Sequence, residues 1–237
     1  QVLLKFDEKL EKAATNLNLF SLVPTIDISS ASFTNNTLRE IRLNLSADLQ
    51  ARQLYSLKVD KLSDCNGNSV QEEFSKLDFA LPEKADSLEV IINEILFNPR
   101  PNGVDFVEVY NNSPKYINLR NWKLANIEND VVKNLETIVT EDFTIAPQSY
   151  TAFAEDISIL KNNYPQSQEK FFFKADLPSL PDDEGSIALV DDQGKVVDFF
   201  LYNKNMHSEL IKDEDGISLE RISFSGGSNQ NWKSATS

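Results

Sequence analysis

The hydrophobic and polar positions of this chain alternate along short stretches, which is typical of half-buried β-strands. In Leu54–Leu62 the apolar residues Tyr55, Leu57 and Val59 alternate with polar residues, and Leu38–Ser46 shows a weaker form of the same pattern. Such a strand buries one face and leaves the other in water. The first part of the chain is therefore predicted to form a β-sandwich or barrel.

A polar break at Pro82 is followed by a series of short apolar stretches, separated by turn sequences such as "NPRPNG", "PSLPDDEG" and "KDEDG". Many short strands with turns between them predict an all-β fold. Only Ala154–Pro165 has the i, i+3, i+4 spacing of a helix, and Glu8–Thr15 is long enough for one further turn. We predict two tandem β-sandwiches, residues 1–82 and 83–237, with at most one or two short helices.

Charge separates the same two regions. The chain has a net charge of −14; residues 1–82 carry 9 basic and 11 acidic side chains, and residues 83–237 carry 14 and 26. A net charge of −12 in the second region argues against a nucleic acid or an anionic membrane as its partner.

The remaining composition constrains the chain's surroundings only weakly. Cys65 is the single cysteine, so no disulfide can form within the chain. No apolar run approaches the roughly 18–20 residues of a membrane span, and no signal peptide is visible. The chain begins in strand-like sequence without Met and ends shortly after a Trp, and we expect it to be part of a longer protein.

Residues 83–237 carry an ordered set of motifs. They are an apolar-Asn-Glu-Ile strand with an Asn-Pro loop, a second acid-bearing strand ending in Asn, a Leu-x-x-Trp-x-Leu strand, a Gly-apolar-Leu hairpin and a closing "NWKSAT". This order resembles the bacterial lamin-tail domain. The resemblance implies an Ig-like β-sandwich whose structural signature residues are Glu94, Glu108, Asn111, Leu119, Trp122, Asp198 and Trp232.

Residues 1–82 carry a Phe-acid strand followed by a helical turn, and a Tyr-x-apolar-x-Val strand followed by Asp64, Gly67 and Asn68 in a turn. These features resemble a bacterial Ig-like domain that lacks its first strand. Together the two resemblances imply modules of secreted or cell-envelope proteins, either periplasmic or on the outer surface. Nuclear lamin-tail domains contact protein and DNA, and the acidic charge here opposes the DNA part.

Glu94 and Glu108 are the first candidates for chemistry. Each lies in an apolar strand, Glu94 with Ile92 and Leu96 on its predicted face. A glycosidase needs two carboxylates about 5–10 Å apart across a cleft, and neighbouring strands could supply that spacing. The alternative is that both are structural acids held by hydrogen bonds. We favour the structural interpretation, because no nucleophile and base accompany them.

Acidic loops are the only candidates for a metal. Calcium favours several loop oxygens, and the densest sets are Asp182, Asp183 and Glu184, and Asp213 with Asp215. None has EF-hand spacing, and Asp and Gly are also ordinary turn residues. We predict no cofactor, with calcium at these loops as the alternative.

The other reactive or aromatic residues are predicted to be structural. We expect His207 to be an exposed loop histidine, and one His with one Cys is too few for a zinc site. No basic residue adjoins Cys65, so we expect an unreactive thiol. "KFFFKA" is predicted to be a central strand buried on both faces, with a sugar-binding aromatic stripe as the alternative, and Trp122 and Trp232 are predicted to lie in the core.

The sequence therefore predicts a module without enzymatic activity, which serves interaction or adhesion with a protein or glycan partner. The alternative is an accessory substrate-binding region of a larger secreted hydrolase. The sequence predicts neither the ligand nor the oligomeric state.

Overall fold

The computed structural model describes residues 1–224 and 231–235. The chain divides into two units, Gln1–Leu81 and Pro82–Ser237. Each consists of mainly antiparallel sheets with an apolar core, and the prediction of an all-β chain of Ig-like sandwiches is confirmed. Thr236, in the predicted closing motif, lies outside the described residues.

The first unit is built from two three-stranded sheets, ordered β1-β4-β3 and β2-β5-β6. Alternating residues such as Ile41 and Leu43 on β4, and Tyr55 and Leu57 on β5, are buried between them. The strands are β1 Val2–Lys5, β2 Phe20–Val23, β3 Ile28–Phe33, β4 Glu40–Leu45, β5 Leu54–Val59 and β6 Lys76–Ala80. The helical turn expected at Glu8–Thr15 is a 3₁₀ helix at Lys12–Thr15.

The turn after β5 is held by one carboxylate. Asp64 Oδ1 accepts from the backbone N–H groups of Asn66 and Asn68 at 2.8 Å each, and its Oδ2 accepts from the Asn68 side chain at 2.8 Å. These hydrogen bonds, led by the one from the Asn68 side chain, lower the pKa of Asp64 to about 2. Gly67 occupies the left-handed conformation at φ +86°, which favours glycine.

The second unit contains a four-stranded sheet ordered β11-β10-β15-β16, a six-stranded sheet ordered β14-β13-β8-β7-β17-β18, and the short pair β12-β9. Its strands are β7 Val90–Leu96, β8 Phe106–Asn111, β9 Ile117–Asn118, β10 Lys123–Glu128, β11 Val131–Thr137, β12 Thr144–Ile145, β13 Tyr150–Ala154, β14 Phe172–Lys174, β15 Glu184–Val190, β16 Val196–Asn203, β17 Leu219–Arg221 and β18 Trp232–Ser234. The two large sheets enclose the core between them.

The predicted helix is present as α1, Ile157–Asn163. Asp156 begins it, since its Oδ1 accepts from the N–H groups of Ser158 and Ile159 at 2.9 and 3.0 Å. No helix among the described residues has the length and apolar character that crossing a membrane requires.

The expectation of a central strand at "KFFFKA" is wrong. β14 is an edge strand that pairs in parallel with β13 alone. Phe173 contacts the core through Phe143 and Phe153, whereas Phe171 is exposed under Lys170, whose Nζ lies 4.7 Å from the ring centroid. Three consecutive phenylalanines show no alternation of apolar and polar residues. The sequence therefore could not distinguish an edge strand from a central strand here.

Gly185 on β15 allows close approach of its cross-strand partner Tyr202. A Cβ atom at Gly185 would collide with the Tyr202 hydroxyl and lie 2.7 Å from Cζ. We expect Gly185→Ala to lower the free energy of unfolding by about 1–3 kcal/mol in urea denaturation, because the buried Tyr202 ring must move. Glu184→Ala, at the exposed neighbouring position, should change it by less than about 0.5 kcal/mol, and equal effects would contradict the steric explanation.

Candidate functional site

Glu94 and Glu108 are direct cross-strand partners at the centre of the six-stranded sheet. Glu94 is also the partner of Glu220 on β17, so three carboxylates, here called the carboxylate row, follow one another across β8, β7 and β17. Glu94 does not share a face with Ile92 as expected, because a β-bulge at Asn93 shifts the register. Ile92 points into the core, whereas Glu94 and Glu108 lie on the outer face of the sheet, half-buried.

Each of the two central carboxylates has a neutral hydrogen-bond partner. The Ser218 hydroxyl donates to Glu94, and the Asn93 amide donates to Glu108 at 2.9 Å. Burial and then the neighbouring Glu94 raise the pKa of Glu108 to about 7. Burial also raises the pKa of Glu94, to which Glu220 adds. The pair can therefore retain a proton near neutral pH.

The carboxylate row lines neither of two grooves found on the second unit. These grooves have volumes of about 400 and 530 Å³, and the linings of both consist of other residues. The first lies beside Trp122 and the Asp191–Gln193 turn, and the second beside Asn126 and Leu201.

The acidic loops form no metal cluster in the described part of the chain, where no group of three or more His, Cys, Asp or Glu side chains has suitable geometry. Asp183 instead pairs with Lys204 at 2.6 Å. Asp215 accepts from the Asn98 amide at 3.1 Å, and Asp213 accepts from the Asp215 N–H at 3.3 Å. Asp182 and Glu184 are exposed.

Asn111 is buried completely at the end of β8 and joins three chain segments. Its amide nitrogen donates to the carbonyls of Lys115, Ile145 and Ala146, and its oxygen accepts from the N–H and hydroxyl of Ser113. Every polar atom of the side chain is thus used within the protein. Its role is to hold the turn after β8 against β12.

Asp198 and Arg221 form an ion pair buried between the two large sheets, with side chains 3% and 2% exposed. Arg221 Nη2 donates to Asp198 Oδ2 at 2.5 Å, and the same oxygen accepts from the Ile92 N–H at 2.9 Å. Burial raises the pKa of Asp198, and the guanidinium of Arg221 opposes that rise. The pair connects β16 to β7 and β17.

Trp232 completes this arrangement. The Arg221 guanidinium lies over the indole, with Cζ 4.9 Å from the ring centroid. The indole stacks on the Phe200 ring, with 3.7 Å between the ring centroids. Trp122 and Leu119 are buried in the same core. Arg221 was not among the residues predicted from the sequence, although an Asp within the apolar stretch "VVDFFLY" indicates that a hydrogen-bonding or cationic partner is needed if the carboxylate is buried.

The expectation that His207 is an exposed loop residue is wrong, because its side chain is only 6% exposed. It packs on Phe97 with 5.7 Å between the ring centroids, and its Nδ1 lies 3.2 Å from the Ser234 hydroxyl. Burial lowers its pKa. The polar sequence around it could not show that the chain folds back beneath β18.

Cys65 in the first unit is exposed, with Sγ donating to the Leu10 carbonyl at 3.2 Å.

The outer face of the four-stranded sheet carries an apolar surface that sequence reasoning missed. Cross-strand partners Ala125, Ala188 and Phe199 form a row on this face, and Leu201 lies beside it. Phe199 is 52% exposed and Leu201 is 44% exposed. This outer apolar face consists of Ala125, Ile127, Val132, Ala188, Val190, Val196, Phe199 and Leu201.

The near-continuous apolar runs of β15 and β16 were the available signal for this surface. A strand that is apolar at every position can bury both faces. On this face Ala125, Ala188 and Val190 are buried, whereas Phe199 and Leu201 are exposed. The outer face of an antiparallel sandwich is ordinarily polar, so an apolar one marks a candidate contact surface.

A comparison with curated proteins found no match for the chain. A comparison with known families matches residues 83–204 to the Lamin Tail Domain. The matched segment runs from the break after Pro82 through β16, and it includes Glu94, Glu108, Asn111, Trp122 and Asp198. It covers more than half of the sequence and the greater part of the second sandwich, and the chain therefore belongs to the lamin tail domain family.

Proposed function

We propose that this chain is a non-catalytic interaction module of a secreted or cell-envelope protein, and that it binds a protein partner through the outer apolar face. Lamin tail domains are Ig-like domains that generally serve as protein interaction modules. The observation that carries the proposal is the exposure of Phe199 and Leu201 on β16, the edge strand of the sheet that carries this apolar face. Large exposed apolar patches are characteristic of protein contact sites.

The physical basis of binding is burial of this apolar area. Removing it from water contributes roughly 25 cal/mol per Å². Phe199 and Leu201 are exposed, so a partner would cover their apolar surface. The surrounding acids, among them Glu184 and Asp191, would disfavour acidic partners and nucleic acids. The proposal requires no cofactor and no catalytic residue.

The same features favour a protein partner over the accessory substrate-binding alternative. Glycan platforms use several aromatic rings on one exposed strip. Among the described residues, the exposed rings of the second unit are dispersed, with Phe199 on the four-stranded sheet, Tyr150 on the six-stranded sheet and Phe171 in the 3₁₀ helix before β14. The proposed location rests on the resemblance of residues 1–82 to surface-protein modules.

Site-specific photo-crosslinking tests the contact surface. With p-benzoylphenylalanine in place of Phe199, we expect a crosslinked partner in cells that produce the full-length protein. The same probe in place of Phe171, in the 3₁₀ helix that precedes β14, should give at least several-fold less product. Comparable crosslinking at both positions would contradict the proposed surface.

A charged substitution on the same face allows the loss of binding affinity to be measured. Leu201→Asp should weaken binding of the crosslinked partner, once purified, by about 10-fold or more, because a carboxylate would be desolvated in the contact. Leu210→Asp is the matched control, since Leu210 is 90% exposed in a loop. Binding to polysaccharide that survives Leu201→Asp would instead support the accessory role in a hydrolase. Fractionation of the producing cells would test the proposed location.

A further inference from the structure

Glu94 and Glu108 occupy the two central strands of the six-stranded sheet. The strand order places β8 and β7 at its middle, and the two glutamates are paired across them. Cross-strand partners have Cβ atoms about 4.5–5.5 Å apart, and like charges at such positions oppose strand pairing. Protonation of one of the two carboxylates would remove that repulsion.

The groups that face this pair do not neutralise it. Glu220 on β17 adds a third carboxylate, and its ion-pair partner is Lys233 of β18 at 3.2 Å. From the other elements come the phenols of Tyr150 and Tyr164, whose pKa values are raised chiefly by burial and further by these glutamates. The Arg100 guanidinium lies over the Tyr164 ring, with Cζ 5.9 Å from the ring centroid.

Within the described residues, Glu94 and Glu108 form no ion pair with a cation. Their hydrogen-bond donors are a serine hydroxyl and an asparagine amide, neither of which supplies positive charge. Ionising both acids therefore places two uncompensated charges in a half-buried site.

We propose that the carboxylate row of Glu94, Glu108 and Glu220 is a proton-sensitive element, which holds β7 and β8 together below neutral pH and weakens the second unit above it. The proton is held by the pair of Glu94 and Glu108, because Glu220 is compensated by Lys233. This property is independent of the outer apolar face, which lies on the other sheet.

Linkage fixes the sign of the effect. The pKa of Glu108 is about 7 in the folded protein against an ordinary value of 4.5. Between these values the folded state binds more protons than the unfolded state, so stability falls as pH rises through that interval. Below about pH 4.5 both states are protonated and the contribution of Glu108 no longer changes.

Tryptophan fluorescence during urea unfolding can measure this in the intact chain. Its two tryptophans, Trp122 and Trp232, both lie in the second unit, so the signal reports on that unit alone. Between pH 5 and pH 8 we expect the unfolding equilibrium constant of the unmodified chain to rise about 10–100-fold more than that of Glu108→Gln. Glu184→Gln, an exposed glutamate on β15, should retain the pH dependence of the unmodified chain.

Comparison of variants separates this row from other titrating groups. Burial raises the pKa of Asp105 to about 7 and lowers that of His207. Both residues are present in every variant, so their contribution to the pH dependence of unfolding is the same in all of them. An identical pH dependence in the unmodified chain and Glu108→Gln would overturn the proposal.

Carboxyl NMR provides a readout that does not depend on the stability of Glu108→Gln. The Glu108 side-chain carbon should titrate near pH 7 in the unmodified chain, and at lower pH in Glu94→Gln because the facing charge is gone. A Glu108 midpoint near 4.5, or one unchanged in Glu94→Gln, would equally overturn the proposal.

Discussion

Asp198→Ala is expected to destabilise the second unit by about 3–5 kcal/mol, the cost typical of removing one member of a buried ion pair. The substitution leaves the Arg221 guanidinium buried without its carboxylate and the Ile92 N–H without its acceptor. It also leaves the volume of a carboxylate unfilled between the sheets. Urea denaturation followed by tryptophan fluorescence measures the change.

Two comparisons identify the cause of that loss. Replacing both partners, as in Asp198→Leu with Arg221→Met, removes the unpaired charge and should recover most of the stability, since apolar replacements of buried pairs are often neutral. Asp183→Ala breaks the exposed pair with Lys204, whose side chains are 77% and 55% exposed, and should cost less than about 1 kcal/mol. A loss from Asp198→Ala as small as that from Asp183→Ala would contradict the buried link between the sheets.

Asn111→Ala is expected to lower the free energy of unfolding by about 3–4 kcal/mol. Three carbonyls lose their donor, and both the N–H and the hydroxyl of Ser113 lose their acceptor. A buried polar group left without a partner costs about 1–3 kcal/mol, and partial access of water to the loop keeps the sum well below the total of five. The same urea titration provides the measurement.

The neighbouring asparagine provides a matched control for Asn111. Within the described residues, Asn112 makes one long side-chain hydrogen bond, 3.4 Å to the Phe224 carbonyl, so Asn112→Ala should cost less than about 1 kcal/mol. Asn111→Asp keeps the shape but places a carboxylate against three carbonyl oxygens, and it should be at least as harmful as Asn111→Ala. If Asn111→Asp were tolerated, the amide would not be the group that holds the turn.

Local pattern was sufficient to predict the architecture. Alternation in Leu54–Leu62, turn residues between short apolar runs, and a single helical spacing near Ile157 all depend on neighbours within a few residues. These local features are common to all-β folds whatever their strand order, so they indicate the fold class correctly. They fail where one residue is inserted, as at the Asn93 bulge, which reverses the face expected for Ile92 relative to Glu94.

Contacts between distant segments were beyond the reach of the same reasoning. Arg221 meets Asp198 across 23 positions, and His207 lies under Ser234 across 27. Nothing in the residues adjacent to Arg221 or His207 distinguishes a buried side chain from an exposed one. The edge position of β14 likewise depends on which strands assemble beside it.

By itself, then, the sequence determined the all-β class, the acidic character of the second region and the lamin tail resemblance, because composition and short-range periodicity are carried by adjacent residues. Only the tertiary structure decided that Glu94, Glu108 and Glu220 stand side by side, that Asp198 is neutralised by Arg221, and that one sheet presents an apolar face. Each of these depends on strand order and register, which are set by long-range packing.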